Sequence, residues 1–194
     1  MARPEAMVQL GKVVRRIIHL MSGHWHHGHT FKFAKLDVKD GFWRMAVAND
    51  DAWNFCYVLP SLQEQKSFYD IEIVVPNRLQ MGWCESSPFF CSGLETARDL
   101  MEPMRLRDLP PHKFENEILK KVRETDTNKH IQGLIAVLEV CVDEFIAMSN
   151  NVEPAHLRQL SRAMLHGIHA IFPPPEVTGH TGYDPIAYKK NGGR

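Results

Sequence analysis

The chain of 194 residues lacks most of the features that assign a protein to a class at first sight. None of its four cysteines shares a C-x-x-C spacing, which argues against zinc and redox motifs and favours thiols packed as small hydrophobic groups in a reducing compartment. It has no apolar run long enough to cross a membrane, and Arg15 and Arg16 interrupt the only stretch resembling a signal-peptide core. We therefore expect an intracellular protein, in the cytoplasm or the nucleus, with no membrane partner.

An excess of either charge is also missing, because 23 Lys and Arg residues balance 23 Asp and Glu residues. Proteins that grip nucleic acid over a wide surface usually carry an excess of basic residues. The balance argues against such a surface, but it is compatible with a catalytic core. The length suffices for one domain with a hydrophobic core and additional tails.

Two acidic stretches about a hundred residues apart are the most informative features that are present: residues 35–42 (KLDVKDGF) and 138–145 (LEVCVDEF). Each places a carboxylate, Asp37 or Asp143, at the end of an apolar, β-branched run that is typical of a buried strand. Carboxylates that converge from separate strands can hold divalent metal ions, and hard oxygen ligands suit Mg²⁺. The pattern predicts an acidic metal site where these strands end.

Hydrophobic periodicity and turn signals predict the elements around these stretches. Residues 1–30 contain a helix and a loop with four histidines, which we interpret as a loop rather than a metal site. Residues 31–38 form a strand with Phe31, Phe33 and Leu36 packed inward, continued by residues 43–47, and a turn at residues 49–51 precedes a ribbon of residues 53–59 and 69–75. A helix begins at Ser86-Ser87-Pro88 with a hydroxyl cap, and a surface helix covers residues 114–123.

The C-terminal half continues with a central strand in residues 134–142, a returning strand in residues 145–148, and a helix over residues 154–171. Residues 173–194 form a tail rich in Pro and Gly that we expect to be extended. Without the ribbon and the surface helix, the order is β-α-β-β-α. This order predicts an α+β fold of the split β-α-β, ferredoxin-like type over residues 31–172, with an antiparallel sheet and helices on one face.

Three blocks in this order resemble the reverse transcriptase domain of eukaryotic retrotransposon-like elements. Residues 35–43 look like the first catalytic motif of that family, and residues 79–90 look like the block that precedes and opens the palm helix. Residues 141–144 occupy the place of the Tyr-x-Asp-Asp box. The resemblance implies a polymerase palm with a partial fingers β ribbon, which copies an RNA template onto a DNA primer from deoxynucleoside triphosphates.

The resemblance also implies roles for individual residues. Asp37, Asp143 and Glu144 are the implied catalytic side chains and, with the backbone carbonyl of Val38, the implied ligands of two Mg²⁺ ions or of Mn²⁺ in their place. Further implied positions are the nucleotide-binding residues Phe42 and either Gln80 or Met81, and the primer-end residue Cys141.

The box departs from the family pattern at two positions, with Cys141 in place of Tyr and Glu144 in place of the last Asp. The extra methylene of Glu144 moves its carboxylate, Mg²⁺ tolerates little distortion, and ångström-scale misplacement costs about a hundredfold in rate. The chain is also short for such an enzyme, so we expect thumb, ribonuclease H and much of the fingers to need further protein. Two hypotheses stay open: a polymerase fragment, and a catalytically inactive remnant that is at most a weak nucleic-acid-binding or interaction module.

Overall fold

The computed structural model describes residues 9–25, 31–60, 71–119, 136–141, 144–150, 154–178 and 184–186. Its helices are α1 (Gln9–Trp25), α2 (Asn49–Ala52), α3 (Ser86–Met104), α4 (Glu115–Leu119), α5 (Pro154–Ile171) and α6 (Pro175–Thr178). Its strands are β1 (Lys32–Asp37), β2 (Tyr57–Val58), β3 (Ile73–Val74), β4 (Ala136–Cys141) and β5 (Glu144–Ser149). The protein is a mixed α+β structure with antiparallel sheets, which confirms the predicted class. Within the described ranges, no helix has both the length and the apolar character needed to cross a bilayer.

The main sheet has three strands in the order β1-β5-β4, and both pairs are antiparallel. The first strand therefore pairs with the second strand of the later hairpin, which brings together segments that are far apart in sequence. We expected the apolar stretch of β4 to be the central strand, but β5 is central in the described sheet. The prediction was wrong because β4 is covered on both faces, by α3 on one and α1 on the other, and so has the composition of a central strand.

One face of the sheet forms the main hydrophobic core with α3 and α5. Leu36, Val140 and Phe145 share this face, since they are register partners on the three strands, and all are buried. They pack in one cluster with Phe90 of α3 and Ile168 of α5, both of which have no exposed surface.

The opposite face of the sheet is partly covered by α1. Glu139 lies on this face, because it alternates with the core residues Leu138 and Val140 along β4. It is 2% exposed and forms an ion pair with Arg16 of α1, while Val13 of the same helix is buried. The expectation of helices on one face thus describes α3 and α5 but does not describe α1.

Two expectations about the N-terminal half need correction. Phe33 is 50% exposed, because it shares the open face of β1 with Lys35 and Asp37, whereas Leu36 points into the core as expected. The strand does not continue through residues 43–47. Phe42–Arg44 instead form a 3₁₀ turn, and only Ala46 makes an isolated bridge, to Arg78.

The remaining elements match their predictions in part. The β2–β3 ribbon exists but pairs only two residues on each strand. Within the predicted surface helix of residues 114–123, the described part is α4, and it buries Glu115 and Ile118; residues 120–123 lie outside the described residues. The helix α1 runs through the expected stop at Ser22 and Gly23, and most of the His-rich loop lies outside the described residues.

The C-terminal segment departs from the extended tail that its composition predicts. Pro175–Thr178 form the short helix α6, and Pro185 and Ile186 are buried, with Ile186 2% exposed in the main core. Ile186 is held there because it is an apolar side chain that fills space beside the core cluster. Residues 179–183 and 187–194 lie outside the described ranges.

Candidate functional site

The sheet brings two of the predicted site residues into direct register. Asp37 ends β1 and Glu144 begins β5, and the two are partners across the antiparallel pair. Glu144 is also the register partner of Cys141, the last residue of β4. Directly opposed residues in such a pair lie about 5 Å apart and point to the same face. Asp143 and Val142 lie outside the described residues, so the structure brings Asp37 together with Glu144 and Cys141 and leaves Asp143 undescribed.

Two carboxylates in direct register repel each other unless a cation compensates their charge. Lys35 supplies one such cation, since its ammonium group forms an ion pair with Glu144. Lys35 lies two residues before Asp37 on the same face of β1, which places it diagonally across from Glu144. The Lys35 and Glu144 side chains are 59% and 32% exposed, so this group of charges is open to solvent. We call Lys35, Asp37 and Glu144 the sheet-end cluster.

The turn that follows β1 fixes the position of Phe42. Val38 is buried at 3% exposure, and Asp40 adopts a left-handed backbone with φ 54°, a conformation that Asp tolerates better than most residues. Gly41 is needed for steric reasons, because a Cβ atom there would overlap the ring of Phe90. Phe42 packs on the same ring with centroids 4.6 Å apart, which anchors it to α3.

The segment that contains Gln80 and Met81 lies beside the same turn. The amide of Leu79 donates to the carbonyl of Met45 at 2.9 Å, which ties residues 78–80 to the chain just after Phe42. Gln80 donates from its side-chain amide to the carbonyl of Arg78 at 2.8 Å, whereas Met81 is 66% exposed. The choice between the two residues stays a prediction.

The start of α3 differs from its predicted cap. The N-cap residue is Glu85, and no side chain caps the first turn. The hydroxyl of Ser86 donates instead to the main-chain carbonyl of Gln80. The serine thus links α3 to the Gln80 segment rather than to the amides of its own helix.

Glu139 is a buried acid near the site that the motifs did not single out. Its carboxylate pairs with Arg16, and the guanidinium of Arg98 lies 3.9 Å from its other oxygen. A single acid inside the apolar run of β4 was the available signal, because a buried carboxylate needs a cationic partner.

The sequence motifs also did not identify a second group of polar side chains. It lies where the residues just before α4, the helix α5 and the segment 184–186 meet. His112 Nε2 is 3.1 Å from His169 Nδ1, and His169 Nε2 is 2.9 Å from Asp184 Oδ1. Lys113 Nζ lies 2.8 Å from Asp184 Oδ2, which completes the ionic partners of that carboxylate. We call His112, Lys113, His169 and Asp184 the histidine relay. Two His residues three apart on α5, at positions 166 and 169, were the only sequence signal.

The ion pair between Glu115 and Arg162 adjoins the histidine relay, because Glu115 also accepts a hydrogen bond from His112. The guanidinium of Arg162 donates to both oxygens of Glu115, at 2.6 and 3.2 Å, and the amide of His112 donates to the same carboxylate at 3.0 Å. These hydrogen bonds, led by that of Arg162, lower the pKa of Glu115 to about 2. Burial, reinforced by the neighbouring His169 and His166, lowers the pKa of His112 to about 4.

The two polar groups differ in what they could hold. In the sheet-end cluster, carboxylate oxygens of Asp37 and Glu144 are the donors that Mg²⁺ and Mn²⁺ prefer. In the histidine relay, the side chains form a chain of hydrogen bonds rather than a common centre. Among the described residues, no three His, Cys, Asp or Glu side chains converge as a metal site, and Asp143, the third predicted ligand, is not among them.

Comparison with known proteins does not assign the chain to a family. No model of a protein family matches the chain, and no curated protein matches its sequence. The resemblance to reverse transcriptases therefore rests on the sequence motifs alone and stays a prediction.

Proposed function

We propose that the chain is a palm-type fragment of the reverse transcriptase class, in which Asp37, Asp143 and Glu144 hold divalent metal ions for nucleotidyl transfer. The observation that supports this proposal most directly is the register of Asp37 with Glu144 across β1 and β5. The two acids lie on the sheet face opposite the α3–α5 core, at the end where the hairpin turns. Carboxylates that share one face in this way can supply oxygen ligands to the divalent ions of a two-metal site.

The proposed chemistry assigns one role to each part of the site. The metal ions, when bound, activate the 3′-hydroxyl of a DNA primer and stabilise the triphosphate of the incoming deoxynucleotide. Asp37, Asp143 and Glu144 supply their carboxylate ligands, and the carbonyl of Val38 adds a backbone oxygen. Phe42, held against Phe90, offers a rigid aromatic surface where the sugar of the nucleotide would lie.

The second hypothesis, an inactive remnant, is favoured by one contact. Lys35 forms an ion pair with Glu144, so its ammonium group supplies part of the positive charge that a divalent ion would supply. The longer side chain of Glu144 can reach this lysine because it extends one methylene beyond an aspartate. A remnant of this kind would keep the fold and the ion pair, and would bind metal weakly.

Primer extension on an RNA template, with Mg²⁺ or Mn²⁺, separates the two hypotheses. We expect extension to fall at least about a hundredfold in Asp37→Asn, since that change removes a metal ligand. The matched control is Asp50→Asn, which changes an exposed acid in the first turn of α2. Activity that survives Asp37→Asn would refute the metal assignment. Extension found in Glu144→Asp but not in the unmodified chain would identify a remnant with a displaced carboxylate.

A further inference from the structure

We propose that residues 184–186 are a positioning segment that orients the Val38–Lys39 peptide of the candidate metal site. The role rests on the proposed function, because it concerns the backbone carbonyl that is expected to bind metal. The inference itself comes from contacts that join this segment to the turn after β1 and to the helices α4 and α5. Nothing in the sequence motifs of the site points to these residues.

The contact with the site is a single backbone hydrogen bond. The amide of Lys39 donates to the carbonyl of Pro185 at 2.9 Å. This N–H belongs to the same planar peptide unit as the carbonyl of Val38, and in a trans peptide the two groups point in opposite directions. Fixing the amide of Lys39 on Pro185 therefore fixes the direction of the Val38 carbonyl. The carbonyl of Lys39 is fixed as well, since the side chain of Arg44 donates to it at 2.6 Å.

Asp184 holds this segment in place through three different partners. Its Oδ1 atom accepts a hydrogen bond from the amide of Ile186 at 2.9 Å, which closes a tight turn around Pro185. The same oxygen contacts His169 Nε2 at 2.9 Å, and Oδ2 lies 2.8 Å from Lys113 Nζ. Ile186 anchors the other end of the turn in the main core at 2% exposure.

The hydrogen bonds of the histidine relay have one consistent direction. The amide of Phe114 donates to His112 Nδ1 at 3.2 Å, so the proton of neutral His112 is on Nε2 and is donated to His169 Nδ1. The proton of His169 is then on Nε2, facing Asp184. This series of hydrogen bonds starts at the amide of Phe114 and ends at the carboxylate of Asp184, which holds Pro185 in place. This order makes Asp184 a positioning residue, one step removed from the metal ligands.

The test is amide hydrogen exchange at Lys39 combined with Mn²⁺ binding, in the full chain and three variants. Asp184→Asn removes the charge that holds Lys113 and His169, and Ile186→Ala removes the core anchor. The matched control is Glu176→Gln, which removes the other carboxylate partner of Lys113, at 3.2 Å, without touching the segment.

We expect exchange at the Lys39 amide to rise at least about tenfold in Asp184→Asn and Ile186→Ala, and to stay unchanged in Glu176→Gln. Mn²⁺ affinity should fall about tenfold in the same two variants, a typical cost of losing support for a metal ligand. Leu157→Ala lowers stability at the end of α5 that is far from the relay, and it therefore controls for global unfolding. When the variants are compared at the same fraction of folded protein, Leu157→Ala should leave the exchange of the Lys39 amide and the Mn²⁺ affinity unchanged.

Unchanged exchange at Lys39 in both Asp184→Asn and Ile186→Ala would overturn the inference. Faster exchange with unchanged Mn²⁺ affinity would also overturn it, because the segment would then hold the turn without serving the site. If the full chain shows no Mn²⁺ binding that depends on Asp37, the proposed function fails, and the exchange result still reports separately whether the segment holds the Val38–Lys39 peptide.

Discussion

The sheet-end cluster and the histidine relay use the same kinds of side chain to opposite effect. In the cluster, Asp37 and Glu144 face each other directly, and one partly exposed lysine pairs with Glu144. In the relay, the carboxylate of Asp184 has a lysine, a histidine and a backbone amide around it. Two opposed acids at a strand end that is open to solvent suit the binding of a cation, whereas a carboxylate that lies between a lysine, a histidine and a backbone amide stabilises the packing of the segments that supply them.

The contrast also explains why only one group was visible in the sequence. In the sequence, Asp37 and the pair Asp143–Glu144 directly follow apolar runs, a pattern that the chain displays locally. The partners of Asp184 come from positions 112, 113 and 169, which meet only after α4, α5 and the C-terminal segment have packed together. A contact of that kind has no local signature.

The largest effect on stability is expected at the ion pair between Glu115 and Arg162, which adjoins the histidine relay. Glu115→Gln should lower the free energy of unfolding by about 3 kcal/mol, because it removes a buried charge that accepts hydrogen bonds from the partly buried guanidinium of Arg162 and from the amide of His112. Denaturant unfolding measures the loss, and Mn²⁺ affinity should not change. The matched control is Glu72→Gln, at an exposed position before β3, where a change below about 0.5 kcal/mol is expected. Equal losses in the two variants would contradict the difference between buried and open charge.

The next largest effect on stability is expected at Gly167, where the close approach of α5 to α3 positions α5 and the His169 that it contributes to the relay. Gly167 lies where α5 crosses α3, and a Cβ atom there would overlap the side chain of Met101 and approach the carbonyl of Ala97 to 3.3 Å. Gly167→Ala should therefore lower stability by about 2 kcal/mol. Gly93 on α3 has no neighbour closer than 3.5 Å, so Gly93→Ala should be neutral or raise stability by up to about 1 kcal/mol. Thermal unfolding of both variants checks the difference, and a stabilised Gly167→Ala would contradict the close crossing.

Acid should weaken the relay before it weakens the Glu115 ion pair. His112 binds its proton with a pKa of about 4 when folded, against about 6.5 in an unfolded chain. The unfolded state therefore takes up a proton first as the pH falls from 6.5 to 4, and stability should decrease across that window by on the order of 2 kcal/mol. The contribution of Glu115, whose folded pKa is about 2, should decline only below about pH 4.5.

Unfolding curves at pH 7 and pH 4.5 test this order in the unmodified chain and in His112→Gln. The substitution should remove most of the pH dependence between these values, whereas His19→Gln, at an exposed position of α1, should leave it in place. A pH dependence that persists in His112→Gln would assign it to other groups.

The smallest effect concerns the lysine of the sheet-end cluster. Lys35→Met keeps the length of the side chain and removes the ammonium group that pairs with Glu144. Mn²⁺ affinity should rise about threefold, since the metal no longer competes with that charge, and stability should change by less than about 1 kcal/mol. Lys32→Met on the same strand is the control, and an equal rise there would indicate a general charge effect rather than local competition.

The sequence predicted the parts of the fold that depend on local periodicity. The bounds of α5 were predicted to the residue, and the strands β1, β4 and β5 were found within a few positions. Errors arose where the tertiary environment decides, as for Phe33, whose aromatic side chain suggested burial but whose position follows the alternation set by Leu36. The docking of Ile186 could not be predicted, because its apolar neighbours are provided by the folded core.

The site was predictable in outline for the same reason. The strand-end acids predicted that Asp37 and Asp143 lie close together. The antiparallel pairing of β1 with β5 brings Asp37 into register with Glu144, the neighbour of Asp143 in sequence, and Asp143 itself lies outside the described residues. Predicting the ion pair between Lys35 and Glu144 would have required both the two-residue periodicity of β1 and its register with β5, and neither of these alone is sufficient. The roles of Asp143, Phe42, Gln80, Met81 and Cys141 stay predictions.

Calorimetric titration of Mn²⁺ into the unmodified chain and into Asp37→Asn tests the central claim most directly. The account predicts saturable binding to the unmodified chain, weakened at least about tenfold in Asp37→Asn and in Glu144→Gln, and unchanged in Asp50→Asn. Binding of equal strength in the unmodified chain and in Asp37→Asn, or no binding to either, would contradict it.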